Sequence, residues 1–204
     1  MPGILIALTF HEYAHASVAN RLGDPTAKNM GRLTLNPLKH IDPIGFLCLI
    51  FFKFGWARPV MVNPNNFRKP RRDDTLVSLA GPFMNLTIAF LSVGLFYVLF
   101  YLLKINNNII YMMMINLIYM NVGLFVFNLL PVPPLDGYHV FKNALLGKVK
   151  PNTFWRIESM GPIILICLLF ILRQTGVLST VISFILNIIN RFFILVFGLG
   201  TTII

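Results

Sequence analysis

Two histidines and a glutamate near the start of the chain have the types and spacing of a zinc hydrolase centre. His11, Glu12 and His15 form the pattern His-Glu-x-x-His. On a helix, positions 11 and 15 are one turn apart on the same face, so two imidazoles can bind one metal ion. Glu12 lies beside them and can accept a proton from an attacking water molecule. The pattern predicts a metal-dependent hydrolase.

The sequence around this pattern is apolar, as expected for a helix in or near lipid. Apolar residues make up 56% of the chain and charged residues 12%, and the mean hydropathy is +0.74. Soluble proteins carry about 25% charged residues. Ionisable groups at membrane depth are costly and therefore indicate function. We predict an all-α integral membrane protein with a single domain over residues 1–204.

Five apolar stretches predict a polytopic transmembrane helix bundle of about five spans. They comprise residues 4–22, 75–103, 109–130, 157–172 and 177–204, which would divide the domain into a catalytic core at about 3–150 and C-terminal helices at about 157–204. Whether the first stretch spans fully, and whether the last is one helix, stays open.

Two shorter segments predict a small loop structure between the first two spans. The apolar segment 44–56 is too short to cross easily and contains Lys53, so we interpret it as re-entrant or interfacial. Residues 31–37 alternate in polarity, which is typical of a short strand or the edge of a hairpin. We therefore predict a small re-entrant or β-hairpin loop.

The basic residues are unevenly distributed along the chain, whose net charge is +10. If 44–56 does not cross, most of the 17 Lys and Arg residues lie on one side, in 21–74 and 131–156, whereas Lys104 and Arg173 lie on the other. The positive-inside rule then predicts that the long loops are cytoplasmic. Because this rule accounts for the charge, we predict no binding of nucleic acid.

A catalytic zinc needs three protein ligands and one open position, and Asp136 is the best candidate for the third ligand. It follows the apolar stretch 109–130 in a proline-rich loop, where Gly137 allows a turn that could aim the carboxylate back. His40 and His139 are rival ligands. We expect His40 to be solvated, and His139 to be either a support for Asp136 or an ordinary loop histidine.

Several small or amide residues accompany the spans and allow two interpretations. Gly81 and Asn85 lie one turn apart, and Asn121 and Asn128 lie on one helix face. They could join helices, with Gly81 permitting close approach and the amides bonding across. Alternatively, they could line a wet cavity in which an amide stabilises an oxyanion. The spacing leaves both interpretations open.

In these residues the sequence resembles the site-2 protease family of intramembrane zinc metalloproteases. Three motifs carry the resemblance: His11-Glu-Tyr-Ala-His15, Gly81-Pro-Phe-Met-Asn85, and Asn128-Leu-Leu-Pro through Asp136-Gly137. The stretches 31–45 and 128–137 resemble the minimal prokaryotic branch, which lacks PDZ and CBS domains.

The resemblance implies one Zn²⁺ per chain held by His11, His15 and Asp136, with Glu12 as general base. It implies that Asn85 and Asn128 lie near the metal, where they are candidates for binding substrate or the oxyanion. It also implies regulated intramembrane proteolysis of transmembrane substrates in a prokaryotic inner membrane, with the active site toward the cytoplasm. The partners would be membrane-protein substrates and the lipid bilayer, and the oligomeric state stays open.

Two other functions remain as alternatives to a protease. A zinc-binding membrane transporter would share the intramembrane His and Asp residues, but it does not explain Glu12. A non-catalytic membrane adaptor predicts a degraded motif, whereas every chemical group of the motif is present. For the protease, an unwound substrate could add as a strand at 32–36 or 59–63.

Overall fold

The computed structural model describes residues 2–52 and 58–198 and is mostly helical. In chain order the helices are α1 (Pro2–Arg21), α2 (Thr26–Asn29), α3 (Pro43–Phe52), α4 (Pro70–Tyr97), α5 (Asn108–Asn128), α6 (Asp136–Leu145), α7 (Pro151–Ser159), α8 (Gly161–Thr175) and α9 (Val177–Phe197). A π-helical turn at Val98–Leu102 continues α4, and single 3₁₀ turns lie at Pro37–Lys39 and Pro64–Asn66. The helical class is confirmed.

The predicted β-hairpin does not form, since the described residues contain no strand. Residues 31–36 form turns and irregular backbone instead. The reason is local: the Arg32 N–H donates to the Ala27 carbonyl, and the Arg32 guanidinium donates to the Lys39 carbonyl. The loop therefore folds back on itself and offers no extended edge.

Three helices of the described residues are long and apolar enough to cross a membrane, namely Pro70–Leu102, Asn108–Asn128 and Val177–Phe197. Helices α7 and α8 meet the same criterion only together, with a bend of 63° between them. The chain is therefore a multi-pass membrane protein with three or four candidate spans among the described residues. The expected count of about five is not confirmed, because the polar side chains of α1, among them Glu12, lower its hydropathy.

The two uncertain apolar segments have different outcomes. Helix α3 covers only the first part of 44–56, and residues 53–56 lie outside the described residues. At about 1.5 Å per residue α3 is too short to span, so its re-entrant character stays a prediction. The last stretch forms one helix from Val177 to Phe197 and ends at Gly198 with a positive φ of 67°; residues 199–204 lie outside the described residues.

Helix α4 is the centre of the bundle and contacts α1, α5, α6 and α9. Its C-terminal half packs with α5 and α9 around a buried cluster in which Phe193 lies directly against Gly94. The rings of Phe193 and Phe197 stack on Tyr97 with centroid separations of 5.9 and 5.7 Å. This packing fixes α4 and α5 relative to each other, and they in turn receive α1.

Small residues let α1 approach α4 and α5 closely. Ala7, Ala14, Ala16 and Ala19 are buried on α1, and Gly3 lies against the backbone of α5. Small residues at helix contacts bring the backbones together. As a result, even the short imidazole side chains of α1 reach the backbone and side chains of α4.

Candidate metal centre

Three donor atoms from two helices meet in one buried cluster. His11 and His15 lie one turn apart on α1, and Asp136 is the first residue of α6. The two Nε2 atoms are 3.0 Å apart. Asp136 Oδ2 lies 3.2 Å from His11 Nε2, and Asp136 Oδ1 lies 3.4 Å from His15 Nε2. Within the described part of the chain, this is the group of His, Cys, Asp and Glu side chains that could hold a metal ion.

A chain of amides orients the His11 ring. Asn121 Nδ2 donates to the Leu117 carbonyl, so its Oδ1 is left to accept from Asn85 Nδ2 at 3.0 Å. Asn85 Nδ2 also donates to the Ala7 carbonyl, so Asn85 Oδ1 is an acceptor. It lies 2.6 Å from His11 Nδ1, which must therefore carry the proton. The lone pair of His11 is then on Nε2, facing the cluster.

His15 has the same tautomer for a simpler reason. Its Nδ1 lies 2.7 Å from the Val77 carbonyl, which can only accept. Both Nε2 lone pairs thus face each other beside a carboxylate, and Asp136 Oδ2 is buried without a hydrogen-bond partner among the described residues. Three electron-rich atoms in contact repel one another unless a cation lies between them.

The cluster fits zinc in both geometry and chemistry. Zinc–ligand bonds of about 2.0–2.1 Å in a tetrahedron put the ligands about 3.3 Å apart, close to the observed 3.0, 3.2 and 3.4 Å. Two imidazole nitrogens and one carboxylate oxygen form a donor set of catalytic zinc sites, which keep a fourth position open. His11, His15 and Asp136 could therefore hold zinc as three protein ligands.

Glycines provide the space in which this cluster forms. A Cβ at Gly81 would overlap both imidazoles, so the α4 backbone lies directly behind them. A Cβ at Gly137 would overlap the Leu129 carbonyl, so α6 can begin against the end of α5. Gly137 has no positive φ among the described backbone angles, so it acts through close approach and not through the turn that we expected.

Glu12 lies beside the metal donors without being one of them. Its Oε2 accepts a 2.8 Å hydrogen bond from the Val60 N–H. A cavity of about 390 Å³ is lined by Glu12, the three donors, Asn128 and His139, and also by Pro59, Val60, Met61, Val62 and Pro64. We call residues 59–66 the wall segment, because five of them line this cavity.

A buried carboxylate ties the wall segment to the end of α1. Asp24 accepts hydrogen bonds from the Asn63 N–H at 2.7 Å, from Asn66 Nδ2 at 2.7 Å and from both groups of Thr26. Burial alone would raise the pKa of the Asp24 carboxyl, but these hydrogen bonds outweigh it and hold the pKa below its ordinary value. The sequence analysis did not single out Asp24. An Asp at this position, two residues before the helix-starting Thr26, is nevertheless a typical turn and capping signal.

The two asparagine candidates lie in different positions. Asn85 is fully buried, and its amide bonds across helices to α1 and α5, which leaves no donor for a substrate oxygen. This arrangement favours the helix-joining interpretation for Asn85. Asn128 lines the cavity, and its Nδ2 donates to Leu124 within its own helix. A second hydrogen of that amide is left for a ligand.

The rival histidines do not join the cluster. His40 is 1% exposed and its Nε2 donates to the Thr34 carbonyl, so the expectation of a solvated residue was wrong. The fold-back of the loop around Arg32 buries it. His139 belongs to α6 and lies beside Asp74, with 3.6 Å between His139 Nδ1 and Asp74 Oδ2. Sequence reasoning did not anticipate Asp74.

Comparisons with known proteins identify the family of the chain. The model of peptidase family M50 matches residues 98–172, which contain Asp136. The "Putative zinc metalloprotease YwhC" of Bacillus subtilis is 41% identical over 172 residues, covering 81% of this chain and 77% of that protein. The chain belongs to peptidase family M50. This membership confirms the family that the three motifs resemble.

Other relatives extend the match across most of this M50 peptidase. The "Putative zinc metalloprotease Rip2" of Mycolicibacterium smegmatis is 34% identical over 195 residues, covering 94% of this chain and 68% of that protein. The "Putative zinc metalloprotease MJ0611" of Methanocaldococcus jannaschii is 29% identical over 133 residues, covering 65% of this chain and 63% of that protein. No solved structure matches the chain. The family supports the metalloprotease class, with zinc as its metal.

Proposed function

We propose that this M50 peptidase is an intramembrane zinc metalloendopeptidase that hydrolyses peptide bonds in or near transmembrane segments. The proposal rests on one observation above all. Two oriented imidazoles, a carboxylate and the separate carboxylate of Glu12 share one cavity, beside helices long enough to cross a membrane. A transporter site does not require a carboxylate such as that of Glu12, which lies next to the metal ligands but is hydrogen-bonded to the Val60 N–H.

The residues divide the chemistry between them. His11, His15 and Asp136 would hold zinc, which when bound acidifies its water and polarises the scissile carbonyl. Glu12 has one oxygen occupied by the Val60 N–H, which orients the carboxylate and leaves the other oxygen to accept the proton of the attacking water. The same oxygen then returns the proton to the departing amine nitrogen. Asn128 offers an amide hydrogen for the carbonyl oxygen as it becomes negative.

The substrate would enter along the wall segment. A transmembrane helix has its backbone hydrogen bonds closed, so it must unwind locally before a peptide bond reaches Glu12. The wall segment is irregular from Pro59 to Asn63 and lines the cavity, where it can pair with an extended peptide. Residues 32–36 lack the strand-like edge that this role would need.

Orientation and stoichiometry follow from the same chain. The positive-inside rule favours a cytoplasmic active site in a prokaryotic inner membrane. All three donors come from one chain, so one zinc per chain and one catalytic domain are expected. The partners are transmembrane substrates and the surrounding bilayer, as required for regulated intramembrane proteolysis.

The variant Glu12→Gln tests the function because it removes the base and leaves the ligands. We expect Glu12→Gln to retain about one zinc per chain, since the side chain is not a ligand, and to lose cleavage of a transmembrane reporter by about 10²- to 10⁴-fold. Asp136→Ala should instead lose both zinc and cleavage. Metal analysis and reporter cleavage on the detergent-purified proteins measure the two effects. Cleavage by Glu12→Gln at the wild-type rate would refute the peptidase function.

A further inference from the structure

A second imidazole–carboxylate pair faces the same cavity and has no part in the metal cluster. His139 Nδ1 lies 3.6 Å from Asp74 Oδ2. The Asp74 side chain is 15% exposed and the His139 side chain 51%, and both line the cavity with Glu12 and Asp136. The pair therefore has one buried end and one end open to whatever occupies the cavity.

The buried end of the pair is anchored from both helices. Asp74 Oδ2 accepts a 2.7 Å hydrogen bond from Asn143 Nδ2, and the same amide nitrogen lies 3.2 Å from Thr75 Oγ1. Asp74 belongs to α4, whose Val77 carbonyl orients His15, and Asn143 belongs to α6. The carboxylate thus occupies a fixed position relative to both halves of the metal cluster.

The ring of His139 is turned so that its second nitrogen is available. Its Nδ1 is the nitrogen nearest Asp74, so Nε2 is on the opposite edge of the ring, and it has no hydrogen-bond partner among the described residues. His139 is three residues after the ligand Asp136 on α6, which puts the two side chains on one helix face, about 5–6 Å apart at their Cβ atoms.

The charges around His139 favour its protonated form. The close polar contact with the Asp74 carboxylate raises the pKa of the imidazole above its ordinary value against the opposing effect of burial. The carboxylates of Asp74 and Asp136 also favour the cation, whereas Lys142 on the same helix opposes it. A protonated imidazole donates from both nitrogens, so one N–H can face Asp74 while the other faces the cavity.

We propose that His139 is a further catalytic residue: its Nε2–H donates a hydrogen bond to the oxygen of the scissile amide as negative charge develops there, and Asp74 is the positioning residue that holds the ring. The inference rests on the proposed peptidase function. No bond to His139 is made or broken. A preformed, charged donor on the wall of the cavity stabilises developing charge without having to reorganise as the reaction proceeds.

The alternative is an ion pair that only joins α4 to α6. Such a pair would contribute to stability, and its loss would affect zinc binding and folding together. A donor to the transition state would instead affect kcat with little change in KM, because the interaction is made only as charge develops. It would also affect the binding of a phosphinic peptide, whose tetrahedral centre carries a negative oxygen.

The test compares His139→Ala, His139→Gln, Asp74→Asn and the double variant Asp74→Asn/His139→Ala with the wild type. Zinc content, kcat and KM for a transmembrane reporter, and Ki for a phosphinic peptide are measured. For His139→Ala we expect unchanged zinc and KM, with kcat lower and Ki higher by about 10²- to 10³-fold. His139→Gln, which keeps a neutral donor, should recover part of both losses. The double variant should be no worse than His139→Ala.

Phe141→Ala is the matched control, because Phe141 is an exposed residue of the same helix that does not line the cavity. It should keep wild-type kcat and Ki. Wild-type kcat and Ki in His139→Ala, or loss of zinc together with activity, would overturn the catalytic role and leave the peptidase function intact. A wild type that retains zinc and cleaves no reporter would overturn both.

Discussion

At the scale of single residues, two amides and one backbone carbonyl decide what the histidines can bind. Asn121, Asn85 and the Val77 carbonyl together put the proton of each imidazole on Nδ1. Each Nε2 is then a lone-pair donor to metal, and neither ring can rotate without losing its bond. Residues that never touch the metal therefore control the affinity for it.

Asn85→Ala tests this control directly. The variant removes the acceptor that holds His11 Nδ1–H and leaves the ligand itself in place. We expect zinc affinity to fall by about 10- to 100-fold, as measured by competition with a chelator. Asn116→Ala is the control, since that exposed amide bonds only within its own helix, to Met112, and should leave affinity unchanged. Equal affinities in the two variants would contradict the tautomer argument.

Gly81→Ala tests the space behind the imidazoles. A Cβ there would overlap His11 and His15, and α4 cannot retreat because it packs on α5 and α9. We expect most of the bound zinc to be lost, as measured by metal analysis of the purified protein. At Gly123 a Cβ would make an ordinary 3.8 Å contact with Ile182, so Gly123→Ala should retain zinc. Full zinc occupancy in Gly81→Ala would show that the rings can move aside.

At the scale of elements, the wall segment and α1 form one unit around Glu12. The Val60 N–H bonds to the Glu12 carboxylate, and a few residues further on Asn63 and Asn66 bond to Asp24, just beyond the end of α1. Asp24 thus sets, from a distance, the position of the backbone N–H that bonds to the Glu12 carboxylate. A segment without regular structure can be held firmly in this way.

Asp24→Asn should separate this positioning from metal binding. The substitution keeps the shape but puts an amide where two acceptor oxygens now face N–H donors, so the wall segment loses its anchor. We expect kcat for a transmembrane reporter to fall while zinc content stays at the wild-type level. Asp42→Asn, which alters a carboxylate bonded to Gly45 in another loop, should keep wild-type kcat. An unchanged kcat in Asp24→Asn would contradict the inference that Asp24, through the wall segment, positions Glu12.

The Asp24 carboxylate makes the stability of the folded protein depend on pH. The pKa of Asp24 is lower in the folded protein than in the unfolded chain, where it is about 3.9. The stabilisation that the ionised Asp24 gives is therefore fully present above this unfolded pKa. It is lost as the pH falls from there through the folded pKa. The difference in melting temperature between the wild type and Asp24→Asn should therefore be constant near pH 6 and shrink below about pH 4. Thermal unfolding in detergent measures it, and a difference that grows with acidity would contradict it.

At the scale of the whole molecule, the site lies where membrane helices end and basic loops begin. Asp136 follows the span Asn108–Asn128 by a short loop, and the exposed run 68–72 overlaps the start of the span Pro70–Leu102. The opposite ends of these two spans meet near Lys104. The site and the basic loops therefore belong to one face of the membrane.

Cysteine labelling in cells tests which face this is. The test uses a cysteine-free background with Cys48→Ala and Cys167→Ala. We expect a membrane-impermeant maleimide to label Asn106→Cys in intact cells. The same reagent should label Arg71→Cys only after the cells are permeabilised. Both positions are exposed, so access depends on the side of the membrane. The reverse pattern would put the metal centre on the outer face and contradict the positive-inside argument.

Local sequence pattern was enough to name the candidate ligands and to predict the helical class of the fold. The spacing of His11 and His15 requires only one turn of helix, which short-range hydrogen bonds dictate. Apolar stretches indicate membrane spans because a helix needs about 20 apolar residues to cross the hydrocarbon core. Asp136 was predicted as the third ligand because a zinc site needs a further donor, and because this residue follows a span in a proline-rich loop where Gly137 could aim the carboxylate back.

What the pattern could not supply depends on contacts between residues far apart in the chain. Asn85 bonds to His11 and Asp24 to Asn63 across dozens of residues, and nothing in their neighbours along the sequence indicates those partners. The same holds for Asp74 and His139, and for Gly81, whose missing side chain matters only because α1 packs there. The candidate ligands could thus be named from short motifs along the chain, whereas their orientation is set by the packing of helices that come together only on folding.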